Sequence, residues 1–185
     1  MPDVIIVGDG PGGLSAALFL AKNGQSVVVC GQDKTAMHWA MLYNYLGIPE
    51  MHGSEFQKVA RAQVEAVGGE LRDVRVESVA KGNGGFTVTL EGDGETLTAA
   101  TLILSEGKGP RLAKQLGLSV EEGVGIETDK NGLTKIAGVY VVGRSARPGR
   151  SQAIISAGDG AAAAIDVLSR AKGDNFADWD SPPES

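Results

Sequence analysis

The sequence predicts an α/β fold: a doubly wound parallel sheet with a small antiparallel β-meander. Three observations predict it. First, short apolar runs that read as buried strands recur along the chain, at Val4 to Val7, Leu102 to Leu104 and Val139 to Val142. Second, the first of these runs leads straight into Gly8-x-Gly10-x-x-Gly13 and then into an apolar pattern at helical spacing. Third, Phe86 to Leu90 alternates, Asp93-Gly94 signals a hairpin turn, and Thr96 to Ala100 returns.

Taken in order, Val4 to Val7 is the first strand. The glycine turn after it sits in strand–turn–helix context, which is the Rossmann-like dinucleotide-binding arrangement. Gly8 permits the tight turn. Gly10 has no Cβ, so a pyrophosphate can approach the backbone, and Gly13 lets the helix pack close to the strand. The N–H groups at the helix start would hold phosphate charge. Leu14, Ala17, Leu18 and Ala21 share one face of a helix over Leu14 to Asn23, which Gly24 caps. Ser26 to Cys30 reads as a buried parallel strand. An acidic residue about 20 positions after the glycines often holds an adenosine ribose. Gly31 stands there instead, followed by Gln32, Asp33 and Lys34. Asp33 or Gln32 either reaches the ribose or is a solvated loop residue.

Thr35 to Pro49 carries Trp39, Tyr43 and Tyr45, and reads as a packed loop or a wall against a flat ligand. Ser54 with Gln57 makes a capping box for the next helix, which Gly68-Gly69 closes. Its inner face is expected at Phe56, Val59, Ala60, Gln63, Val64 and Val67. Glu70 to Val79 reads as one strand, and the meander follows. Leu102 to Leu104 runs into Ser105-Glu106-Gly107, Pro110 to Leu118 is a short helix, and Val139 to Val142 ends in Gly143. Gln152 to Arg170 is a long alanine-rich helix. Residues 1–172 are expected to form a single domain, and 173–185 an acidic, mobile tail.

Charge and composition narrow the function classes. A net charge of −6 argues against nucleic acid or an anionic membrane as partner. No apolar run approaches the roughly 18 residues that span a bilayer. The single cysteine, Cys30, fits a reducing, cytoplasmic setting, and with only His38 and His52 beside it no metal site is expected. No catalytic acid, base or nucleophile stands out. His38 is the one proton-donor candidate, set against a purely structural or solvated role.

Several further segments carry a family resemblance. They are Gly8-Asp9-Gly10-Pro11-Gly12-Gly13, Asn44-Tyr45-Leu46-Gly47-Ile48-Pro49, Ser105-Glu106-Gly107, Gly138-Val139-Tyr140-Val141-Val142-Gly143, and Gln152-Ala153 leading into Ala157-Gly158-Asp159-Gly160-Ala161-Ala162. With these, the chain resembles the FAD domain of bacterial thioredoxin reductases over about residues 3 to 172. It is most similar to the short thioredoxin-reductase-related proteins that lack the NADPH domain.

The resemblance implies FAD as cofactor. It places the pyrophosphate on the glycine turn, the adenine near Val76, and Ser105, Glu106 and Gly107 beside the cofactor. Gln152 and Ala153 would start a helix whose positive end faces the flavin. It also implies a protein redox partner or electron donor, and leaves room for a homodimer. Three departures accompany it. Only Lys108 to Tyr140 lies where the family inserts its NADPH domain, too little for a unit of about 50 residues or more. Cys30 cannot replace a redox dithiol alone and reads as a core residue. The family's Gly-Asp becomes Gly143-Arg144, and its Arg-Gln-Ala becomes Ser151-Gln152-Ala153.

Arg144 opens a basic run with Arg147 and Arg150. Arg144 faces the pyrophosphate, or the three arginines form a docking patch for an acidic partner, or the loop is merely solvated. The function expected first is that of an FAD-dependent oxidoreductase without its own nicotinamide site. A non-catalytic FAD module or redox sensor is the second reading. An NAD(P)-binding protein is the third, disfavoured by the meander and the long helix after Gln152.

Overall fold

The computed structural model describes residues 1–182, so residues 183–185 of the expected tail lie outside the description. The elements run β1 (Val4–Val7), α1 (Pro11–Lys22), β2 (Val27–Gly31), β3 (Met41–Leu42), β4 (Met51–His52), α2 (Gly53–Ala66), β5 (Glu70–Asp73), β6 (Val76–Gly82), β7 (Gly85–Leu90), β8 (Thr96–Ala99), β9 (Thr101–Leu104), α3 (Arg111–Gln115), β10 (Val139–Val141) and α4 (Ala153–Lys172). A five-stranded sheet has the order β10-β9-β1-β2-β5, and every pairing in it is parallel. The chain therefore winds outward from β1 in both directions. β6, β7 and β8 form the antiparallel meander, as the alternation predicts.

β1 is central because each of its residues is apolar and can be buried on either face of the sheet. Val4 and Ile6 face the helical layer, where Leu14, Ala17 and Leu20 of α1 meet Ala163, Ala164 and Val167 of α4. Ile5 and Val7 face the other side, where Phe86 and Val88 of the meander and Leu112 of α3 pack. Each buried Val, Leu, Ile or Phe among these contributes about 1.5–3 kcal/mol. The helices α1 and α4 cross closely because both carry glycine at the crossing: a Cβ on Gly160 would overlap the Gly12 carbonyl.

Several local expectations are corrected. Glu70 to Val79 is not one strand. β5 pairs with β2 in the main sheet, the chain turns at Val74, and β6 starts in the meander. Period-2 alternation does not register a change of sheet. The capping box at Ser54 and Gln57 is absent. His52 caps α2, its Nδ1 accepting the Ser54 N–H at 3.2 Å, while Gln57 points inward and donates to the Asp9 carbonyl. The inner face of α2 accordingly shifts to Gly53, Gln57 and Val64, with Ala60 and Val67 partly buried, and leaves Val59 and Gln63 exposed.

The start of the aromatic-rich loop, at Thr35, Ala36 and Met37, lies along the main pocket of the fold, but none of its aromatic residues does. Trp39 and Tyr43 are 91% and 70% exposed, and only Tyr45 stacks, against Phe56 at 5.5 Å. Residues after α4 turn back onto α1: Phe176 packs on the helical core, and Lys22 pairs with Asp178 at 2.9 Å. Among the described residues no helix is long and apolar enough to cross a membrane, and no cluster of metal-ligating side chains occurs.

Candidate nucleotide-binding cleft

The carboxyl ends of β1, β2, β9 and β10 open into one cleft of about 560 Å³. This is where ligands enter open α/β sheets. The four ends are held in register beyond the strands themselves. Gly8 N–H donates to the Cys30 carbonyl (2.8 Å), Ser105 N–H to Val7 (2.7 Å), and Val142 N–H to Leu104 (3.0 Å). Gly8 has φ of +101°, and a side chain there would drive into the Ser105 carbonyl, so the turn requires glycine.

Two helices aim their N-termini at the cleft. Gly10, Pro11 and Gly12 at the start of α1 line it, as do Ser151 and Ala153 at the start of α4. Neither helix has a side-chain cap: Gly10 cannot supply one and Gln152 makes none. The orphan N–H groups of both first turns are therefore available to an anion. A Cβ built on Gly10 meets no protein atom within 4 Å, so the space it would occupy belongs to the cleft.

The lining is cationic in a chain that is acidic overall. Lys34, Arg75, Lys108, Arg111 and Arg144 line the cleft, against Asp9 and Glu106. Both acids are engaged. Asp9 is buried at 4% exposure, and its Oδ2 takes the Asp33 N–H (2.9 Å) and the Arg61 guanidinium. Glu106 accepts the N–H groups of Leu112 (2.7 Å) and Ala113 (3.0 Å), which caps α3. Burial nonetheless holds its carboxyl above the usual carboxylate range. Arg111 donates to the carbonyls of Val76 and Glu77 and so fixes the start of β6 at the cleft wall.

Of the residues expected to bind a cofactor, the cleft brings together Gly8, Gly10, Pro11, Gly12, Gly31, Gln32, Lys34, Val76, Ser105, Glu106, Gly107, Gly143, Arg144, Ser151 and Ala153. Gly13, Asp33, Asn44 and Gln152 lie outside its lining. Gly13 sits against the Gly8 carbonyl at the helix–strand crossing. Asp33 turns to His38, whose Nε2 meets its carbonyl (2.7 Å) and its Oδ1 (3.0 Å). Asn44 and Gln152 bond to each other at 3.2 Å. His38 also bonds Ser54 through Nδ1 (2.9 Å), so both ring nitrogens are occupied and it braces the loop outside the cleft.

Cys30 touches the cleft floor but is 2% exposed, and burial pushes its thiol up to about 11. Arg147 pairs with Asp159 at 3.0 Å, which separates it from the basic run and leaves Arg144 to the cleft. Sequence reasoning missed Asp9, Arg75, Lys108 and Arg111 as lining residues. A basic cluster directly after Gly107 was the available signal for two of them.

The model of the pyridine nucleotide-disulphide oxidoreductase family matches residues 2–50 and 45–161. The chain is 30% identical over 128 residues to a ferredoxin–NADP reductase of Lactococcus lactis subsp. lactis, covering 65% of this chain and 39% of that protein. It is also 30% identical over 112 residues to a component of the alkyl hydroperoxide reductase of Staphylococcus aureus, covering 59% of this chain and 22% of that one. The chain thus spans less than half the length of these curated relatives. In fold it is similar to an atypical thioredoxin reductase of Desulfovibrio vulgaris Hildenborough, with TM-score 0.83, 19% identity, and 94% and 99% of the two chains covered. A thioredoxin reductase of Gloeobacter violaceus superposes with TM-score 0.85 at 18% identity, over 97% and 99%.

Proposed function

The chain belongs to the pyridine nucleotide-disulphide oxidoreductase family, and on that premise we propose that it binds FAD in the cleft and passes electrons between a protein partner and an acceptor. The observation that carries this reading is the convergence of two uncapped helix N-termini on a cation-lined cleft, with open space over Gly10. That combination fits a diphosphate. The α1 N–H groups and Arg144 would hold the pyrophosphate. Val76 would meet the adenine, and the start of α4 would place its positive end by the flavin ring. Bound there, FAD would supply hydride or single-electron chemistry. The chain's residues contribute binding, orientation and field. Of the lining acids, Glu106 has both oxygens committed to α3, and Asp9 has Oδ2 committed to Asp33 and Arg61.

The electron source is proposed to be a partner. Between β9 and β10 the chain has one short helix and a few turns, with no second nucleotide-binding fold in that connection. The sequence has one cysteine, and it is buried. A relative named for ferredoxin supports a protein partner. Residues 1–172 act as one FAD-binding unit in this reading. Among the described residues that line the cleft there is no histidine and the one thiol is buried, which favours a second reading, a flavin-holding module without turnover of its own.

Purification without added cofactor tests the proposal. FAD is expected to copurify, at up to one per chain. A colourless protein that also refuses added FAD overturns it. Arg144→Ala is expected to weaken FAD binding by about 1.5–3 kcal/mol, the loss of a hydrogen bond to a charged group, measured by titration. Photoreduction followed by mixing with electron acceptors separates the two readings, since only the first predicts reoxidation by a protein acceptor.

A further inference from the structure

The acid that commonly holds an adenosine ribose is missing from the end of β2, where Gly31 stands. The structure places a different carboxylate on that spot. A Cβ added to Gly31 would land inside the Asp9 carboxyl group, 2.5 Å from Oδ1. Asp9 therefore occupies the volume from which a side chain at position 31 would start, and the two are mutually exclusive. The glycine at 31 and the acid at 9 are one arrangement.

Asp9 is held firmly in that position. Its backbone carbonyl accepts from the fully buried Gln57. Its Oδ2 takes the Asp33 N–H at 2.9 Å and the Arg61 guanidinium. Arg61 is itself spent, since its other nitrogen pairs with Asp73 at 2.6 Å. Oδ1 makes no hydrogen bond to a protein donor among the described residues, yet it is not sealed off, for the one buried side-chain polar atom without a partner there is Gln57 Oε1. Asp9 lines the cleft beside Gly31 and Gln32. An acceptor with a free lone pair is thus presented where β2 ends, and the guanidinium in contact with it, Arg61, is already paired with Asp9 and Asp73, while Lys34 and Arg75 also line the cleft.

We propose that Asp9 recognises the adenosine ribose through Oδ1 and makes the cleft selective for a ribose without a phosphate. This rests on the reading of the cleft as an FAD site. A ribose hydroxyl can donate to Oδ1. A 2′-phosphate offers no donor at neutral pH and brings like charge against a buried carboxylate, which is how a site rejects a competitor.

The test uses ADP-ribose and ADP-ribose 2′-phosphate, which differ only in that phosphate, with FAD as the third ligand, each titrated calorimetrically. The wild-type chain is expected to bind FAD, and to prefer ADP-ribose over its 2′-phosphate by about tenfold or more. Asp9→Asn keeps the shape and the acceptor for Asp33, and is expected to weaken FAD by about tenfold and to shrink the preference to within about threefold. Asp9→Gly combined with Gly31→Glu moves the acid back to the strand and is expected to restore the preference. The preference is a ratio, so a merely structural loss would scale both constants and leave it unmoved. An unchanged ratio in Asp9→Asn, or equal binding of the two probes by the wild type that still takes FAD, overturns the assignment of Asp9 alone. A wild type that binds neither FAD nor ADP-ribose overturns the cofactor reading itself.

Discussion

Gly10 and Gly13 belong to the same turn, yet a methyl group at each meets opposite surroundings. At Gly10 it meets nothing within 4 Å, while at Gly13 it overlaps the Gly8 carbonyl. Gly10→Val is therefore expected to abolish FAD retention while leaving the melting temperature of the cofactor-free chain nearly unchanged. Gly13→Ala is expected to cost about 1–3 kcal/mol of stability, read by chemical denaturation of the cofactor-free chain, since the backbone must yield. This distinction was legible in the sequence, because spacing alone assigns each glycine its role. The seat of the ribose acid was not legible. Asp9 and Gly31 lie far apart in the chain, and only the pairing of Val7 with Cys30 brings them together. Cys30 offers a pH test at the same scale. Its ordinary value is 9.0 and burial raises it to about 11 in the folded chain. Below pH 9 both states hold the proton and the advantage is intact. Between about pH 9 and 11 the unfolded chain ionises first, so stability falls with rising pH, by up to about 1.4 kcal/mol per unit. Cys30→Ala is expected to flatten that part of the wild-type profile, measured by denaturant titration across pH 8.5–11.5. Identical slopes in the two proteins would mean the thiol ionises as freely in the fold as in water.

At the scale of elements, the strongest signals were those set by local chemistry. β1, α1 and the hairpin of the meander follow from apolar runs, a glycine turn and an Asp-Gly turn, and all form, though α1 begins at Pro11 rather than at the expected Leu14. The elements that were misplaced depend on partners elsewhere. The break between β5 and β6 exists because two different sheets claim neighbouring residues. Gln57 leaves its helix end because a carbonyl on Asp9 lies within its reach. Glu106 shows the same dependence from the other side. It stands in the segment that the resemblance leads us to expect beside a cofactor, but both oxygens cap α3. Glu106→Ala is expected to destabilise α3 by about 0.5–2 kcal/mol, the range of a lost N-terminal cap. Faster amide exchange confined to Leu112, Ala113 and their helix would report it. If FAD affinity falls instead while exchange in α3 is unchanged, Glu106 acts on the cofactor rather than on the helix.

For the molecule as a whole, the sheet divides the labour between its two faces. Helices α1 and α4 pack on one face and bring their uncapped N-termini to the strand ends, while the meander and α3 close the other and supply Val76 and Arg111 to the cleft wall. The cleft exists only because both layers end at the same edge of the sheet. A net charge of −6 over the whole chain makes the five lining cations a local exception, and that favours an anionic ligand at that edge. The same geometry limits what else can approach. A nicotinamide must lie against the flavin to pass a hydride, and the connection from β9 to β10 folds into α3 and turns that pack on the meander face, without a glycine turn opening a second helix. In the proposed reading NADPH has no site of its own on this chain, and direct reduction then relies on random encounter, without the effective concentration that a bound donor supplies. The FAD-loaded chain is therefore expected to stay oxidised for minutes when mixed anaerobically with NADPH, and to bleach rapidly only when a reduced protein donor is added. Stopped-flow absorbance at the flavin band reads both. Bleaching by NADPH alone within a second or so, saturating with its concentration, would place a nicotinamide site on the exposed face of the cleft and remove the need for a donor protein.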